Sequence, residues 1–143
     1  MKKLPNITIA LQTLQNNMIR VILGIKKEKH VNMMHMRKKI KMFSVNQMFV
    51  YHTLLETCNI VRNSASEQIK MKWTDISEKN YFMRSTTKND LKVPMKPSQR
   101  CQGFTYNGSK LFNLLPIHIR ETLNPNTFKS LTKKWIWENN PSY

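Results

Sequence analysis

From Val45 to Val61 the chain carries a single charged residue, Glu56, although lysine and arginine together number 24 of its 143 residues. A run this poor in charge inside so basic a chain has to be turned inward. Its apolar residues fall on one side of a helix, since Met48, Tyr51, Leu54, Leu55, Cys58 and Val61 recur at three- and four-residue steps. Ahead of the run, Ser44-x-x-Gln47 has the pattern of a capping box, and Phe43 with Met48 occupies the positions of a hydrophobic staple. The expectation is a helix over about 44–61 at the centre of the core. Cys58 is then a buried apolar group and not a nucleophile, because no base is placed beside it by sequence.

Two further helices are expected before it, over about 6–23 and 31–42. Asn6 is the expected cap of the first, and Ile7, Leu11, Leu14, Met18, Val21 and Ile25 follow at alternating four- and three-residue steps. Gly24 stands where a left-handed C-terminal cap belongs. Gln12, Asn16 and Arg20 form a second stripe, read either as a contact for phosphates or a template strand or as a polar ladder packed against a preceding domain. In the second helix Met33, Met36, Ile40 and Phe43 mark an apolar edge.

After residue 63 the pattern weakens. Residues 64–103 read as an irregular or extended basic linker, and extended or β-like structure is expected around 81–106. Phe104 and Tyr106 alternate like a half-buried strand, Asn107-Gly108 reads as a turn, and Ser109 as the cap of a short helix that Pro116 ends at Leu115. Beyond Pro116, Ile117 and Ile119 are expected to pack while His118 and Arg120 face out. A last helix, capped by Asn126, would bury Phe128, Leu131 and Trp135. The whole is a mainly α assembly of about four to six helices. Its parts are 1–63, 64–103 and 104–143, within one domain.

The formal charge of +16 lies far beyond what solubility requires and points to a polyanionic partner, RNA or DNA. The candidates for phosphate contact are Arg20, Lys26, Lys27, Lys29, Arg37, Lys38, Lys39 and Lys41, then Arg84 and Lys88 in the linker, and Lys129, Lys133 and Lys134 on the last helix. Several cations within one or two turns repel one another unless an anion relieves them. A solvated helix face is the plainer reading of the same residues, and near a helix C-terminus lysines also suit the dipole.

Chemistry beyond binding finds little support. Cys58 and Cys101 form no Cys-x-x-Cys pair, and His30 and His35 have no thiol and no acid but Glu28 nearby, so no metal site and no cofactor is expected. Phosphoryl-transfer chemistry on two metals needs clustered carboxylates, whereas the only aspartates are Asp75 and Asp90. There is no Gly-rich phosphate loop, His-Glu-x-x-His helix or Gly-x-Ser-x-Gly elbow. No apolar run approaches the length that crosses a bilayer. With its two cysteines read as reduced thiols, an intracellular protein, nuclear or cytoplasmic and not secreted, is expected.

Three stretches, in order, carry a family resemblance. Leu11-Gln12-Thr13-Leu14-Gln15-Asn16 is followed by Arg20 and Ile22-Leu23-Gly24. Tyr81-Phe82-Met83-Arg84-Ser85 precedes Leu91-Lys92-Val93-Pro94. Phe104-Thr105-Tyr106-Asn107-Gly108 leads to Leu111-Phe112-Asn113-Leu114-Leu115-Pro116, Ile119-Arg120 and Asn126-Thr127-Phe128-Lys129. Together they resemble the extreme C-terminal region of reverse transcriptases from jockey-type non-LTR retrotransposons, beyond the polymerase core. The resemblance implies a non-catalytic portion of an RNA-directed DNA polymerase that helps hold element RNA or target DNA, with the remainder of the polymerase as a partner. The Cys/Cys/His/Cys knuckle of some retroelement polymerases is missing. An independent protein-interaction module and a decayed, inactive remnant stand as alternatives.

Overall fold

The computed structural model describes residues 4–26, 29–62, 90–91, 93 and 103–141. Among them every regular element is a helix, with no strand: α1 (Leu4–Ile22), α2 (Met33–Lys39), α3 (Val45–Arg62), α4 (Phe104–Leu114), α5 (Ile117–Arg120) and α6 (Pro125–Asn139). They fall into two compact units, 1–49 with 141–143, and 50–140, which part inside α3 between Phe49 and Val50. The expected boundary after residue 63 falls within residues 63–89, which lie outside the described set together with most of the predicted linker.

Local signals set the ends of the first three helices. The hydroxyl of Ser44 accepts from the Gln47 backbone N–H at 3.2 Å and the Gln47 side-chain oxygen accepts from the Ser44 backbone N–H at 3.0 Å, so the capping box forms as its spacing predicts. Gly24 takes φ +62. Its N–H donates to the Val21 carbonyl and that of Ile25 to the Arg20 carbonyl, the paired bonds of a Schellman end. Asn32 caps α2, its side chain accepting from the Met34 and His35 N–H groups. α1 begins at Leu4, ahead of the expected Asn6 cap, with Pro5 in the first turn, where a missing N–H costs nothing.

In the second unit the part of α3 from Val50 on contributes more buried residues than any other helix. Val50, Leu54, Cys58 and Ile60 are buried, with Thr53 and Thr57 beside them, the Thr57 hydroxyl donating to the Thr53 carbonyl at 2.7 Å. Its inward side is rotated from the one expected, since Met48 and Val61 are exposed and Tyr51 is half-buried. The threonines explain the rotation, because a hydroxyl satisfied by the carbonyl one turn back can be buried like a valine.

The C-terminal region corrects the expectation of extended structure at its end. Phe104 to Tyr106 is the first turn of α4, capped by Gly103, and neither Asn107 nor Gly108 has positive φ. Ser109, expected as a cap, is buried mid-helix. Leu111, Phe112 and Leu115 are buried together with Gly108, all at helical spacing. Burying three large side chains outweighs the turn tendency of one Asn-Gly pair, which is worth about 1 kcal/mol. Pro116 does end α4, with Leu115 extended at ψ 140. In α5 Ile119 is buried and Ile117 exposed, and Arg120, expected outside, is buried. Residues two apart lie on opposite sides of a helix, so the two isoleucines cannot share a side.

Asn124, not Asn126, caps α6, accepting from the Asn126 and Thr127 N–H groups, with Pro125 at the first helical position. Phe128, Thr132 and Ile136 are its buried residues, while Leu131 and Trp135 are half-buried flanks. α5 and α6 pack on each other, as do α1 and α2.

Candidate nucleic-acid interface

In the first unit the polar stripe of α1, not the apolar one, is turned to the rest of the chain. The side chain of Gln12 donates to Gln15 at 2.7 Å and Asn16 at 3.1 Å, and its amide oxygen Oε1 accepts from the Val45 N–H at 3.1 Å. Gln15 donates to the Phe43 carbonyl at 2.7 Å. These amides fasten α1 to the turn that precedes α3. Ile19 is fully buried beside them in the helical repeat, whereas Ile7, Leu11, Leu14, Met18 and Val21 are exposed. The apolar stripe of α1 is thus its outer side, and the polar ladder packs on the chain's own residues.

Two of the predicted phosphate-binding arginines are struts. Arg20 donates to the carbonyls of Lys26 at 3.3 Å and Lys29 at 3.0 Å, tying the segment after α1 back to its last turns. Arg37 donates to the side chain of Asn16 at 2.9 Å and so sets α2 beside α1. Both are half-buried. A guanidinium suits this task because its fork of donors satisfies several oxygens from one position.

With α2 held by Arg37, the neighbouring Lys38, Lys39 and Lys41 are left exposed, and with the loop held by Arg20, so are Lys26 and Lys29. Lys41 carries φ +54. It is the left-handed residue of a second Schellman end, its N–H donating to Lys38 and that of Met42 to Arg37. Lys27, Arg84 and Lys88 lie outside the described residues. Among the described residues of this unit there is no carboxylate at all. Exposed lysines hold water and solution anions, which a phosphate backbone can replace with release of counterions.

No family model matches this chain, and neither a curated protein nor a solved structure matches it.

The lysines of α6 lie in the other unit and are differently placed. Lys133 stands over the Tyr51 ring, 5.6 Å from its centroid, and Lys134 is 4.0 Å from Glu138, while Lys129 is exposed. In the same unit Arg62 donates to the Arg120 carbonyl at 3.1 Å and lies 4.8 Å from the Phe128 ring centroid. Asp90 is paired with Arg120, and the Asn113 side chain both donates to the Leu91 carbonyl and accepts from its N–H, each at 2.8 Å. Sequence reasoning missed this docking. An asparagine that pairs with a backbone like an extra strand has no local signature.

Asp75 lies outside the described residues, among which no group of three metal-ligating side chains occurs. No described helix is long and apolar enough to cross a membrane. Burial pushes the Cys58 thiol up from its ordinary value, with the Arg62 cation acting weakly the other way.

Proposed function

We propose that the chain binds the phosphate backbone of RNA or DNA through Lys26, Lys29, Lys38, Lys39 and Lys41, performs no bond-making itself, and serves as the C-terminal portion of a non-LTR retrotransposon reverse transcriptase. The observation that carries the binding is that the described residues of the first unit include no carboxylate, Glu28 being the one acid in its sequence up to Phe49, while its arginines are engaged internally and its lysines are displayed. Lysines on a helix end and the adjoining loop read charge, not sequence, so the binding is nonspecific. The parentage rests on the resemblance. It is supported by the way its stretches meet, since Leu91 of one is held by Asn113 of another, and Asp90 beside it by Arg120.

Fluorescence anisotropy with a short RNA and a duplex DNA tests the interface. Lys38→Glu with Lys39→Glu weakens both at least about tenfold near physiological salt, since it turns two attractive contacts repulsive. The same reversal at Lys129 and Lys134 has a smaller effect. Unchanged affinity in the α2 variant contradicts the assignment.

A further inference from the structure

The inner side of α1 is engaged; its apolar side is bare. Ile7, Leu11, Leu14, Met18 and Val21 are between 49% and 80% exposed. They follow at steps of four, three, four and three residues. An average step of 3.5 is the spacing with which two helices keep a seam in contact, the side chains of one seating between those of the other. Core packing does not account for this register, because the residues that α1 turns inward, Gln12, Asn16 and Ile19, lie about two fifths of a turn away around the helix.

Charge selects the occupant. α1 holds no acid, and its one base, Arg20, is bound to the carbonyls of Lys26 and Lys29. Thr8, Ala10, Gln15 and Asn17, which flank the stripe, are uncharged. A polyanion finds nothing to hold here, and a charged peptide gains nothing over water. An uncharged apolar helix of the same spacing fits, and the chain supplies one. Between two copies the neutral helices approach without the repulsion that a formal charge of +16 imposes elsewhere.

We propose that α1 pairs with α1 of a second copy along Ile7 to Val21, giving a two-fold symmetric dimer. Five half-exposed aliphatic side chains present roughly 500 Å² per copy, at the upper end of what a monomer leaves bare. Two such faces remove about 1,000 Å² from water, the lower edge for a specific interface, so the dimer is weak and concentration-dependent. Because each α1 is already held by its own unit, pairing does not have to order the helix first.

Sedimentation velocity on the nuclease-treated full chain in high salt, where nucleic acid cannot bridge copies, reads the mass from about 1 to 100 µM. The expected mass rises from 17.0 kDa towards twice that value. Leu14→Asp with Met18→Asp shifts the midpoint at least tenfold to higher concentration, and Val21→Lys, at the most exposed position, does so independently. Thr13→Asp, exposed and off the stripe, leaves it unchanged, and circular dichroism confirms that each variant keeps its helix content. A wild-type chain that stays at 17.0 kDa throughout overturns the proposal. So does a dimer indifferent to the stripe variants. A monomer that Leu14→Asp destabilises overturns it equally, by making another segment of the same chain the occupant.

Discussion

Lys41 is a residue whose backbone and charge serve different ends. It occupies the left-handed region at φ +54, where a side chain costs about 1 kcal/mol and glycine costs little. Lys41→Gly therefore raises the urea unfolding midpoint, by the equivalent of roughly 0.5–1 kcal/mol, while weakening nucleic-acid binding by one phosphate contact. A midpoint that falls contradicts the Schellman assignment. Gly24, the other left-handed helix end, was legible because glycine has few other reasons to stand there. Lys41 was not, since lysine carries no mark of such a backbone. Cys58 tests burial at the same scale. In a Cys101→Ser background its alkylation is at least about tenfold slower than that of an unfolded thiol at the same pH. Because its folded pKa is raised, the stability gained by keeping the thiol neutral is fully present below the ordinary thiol value of 9.0 and is lost as pH rises through the folded value. Stability that grows across that window has the wrong sign for a buried thiol.

Among the elements, helices were readable where their signals are local and harder where a distant residue decides. Ser44 and Gln47 are three apart and cap each other, so α3 starts where its sequence predicts. The sides of α1 are a different matter. Periodicity shows that an apolar stripe exists but not what faces it, and the amides of Gln12 and Gln15 turn the helix by bonding to Val45 and Phe43 across about thirty residues. The same holds for residues 90–91, which α4 and α5 capture through Asn113 and Arg120. Asn113→Ala strips the Leu91 N–H and carbonyl of their partner and costs about 2 kcal/mol. Arg120→Met leaves the Asp90 carboxylate largely buried without its counter-ion and costs about 3 kcal/mol. If residues 90–91 dock as one piece, the double variant loses measurably less than the sum of the two in chemical denaturation. Strict additivity refutes joint docking.

For the molecule as a whole, the charge in the sequence pointed to a polyanion, and the structure sorts the cations that share it. Arginines at 20, 37, 62 and 120 bind carbonyls, an amide oxygen, an aromatic face or a carboxylate inside the units. The exposed lysines of the first unit face water. Sequence alone lists both kinds as basic residues, because what separates them is the oxygen each meets after folding. The most direct test of the central claim, that displayed lysines grip a phosphate backbone, is the salt dependence of duplex DNA affinity. With about five phosphates neutralised by Lys26, Lys29, Lys38, Lys39 and Lys41, log K falls against log salt with a slope near −4.5. A slope near zero, or no binding at low salt, contradicts the account.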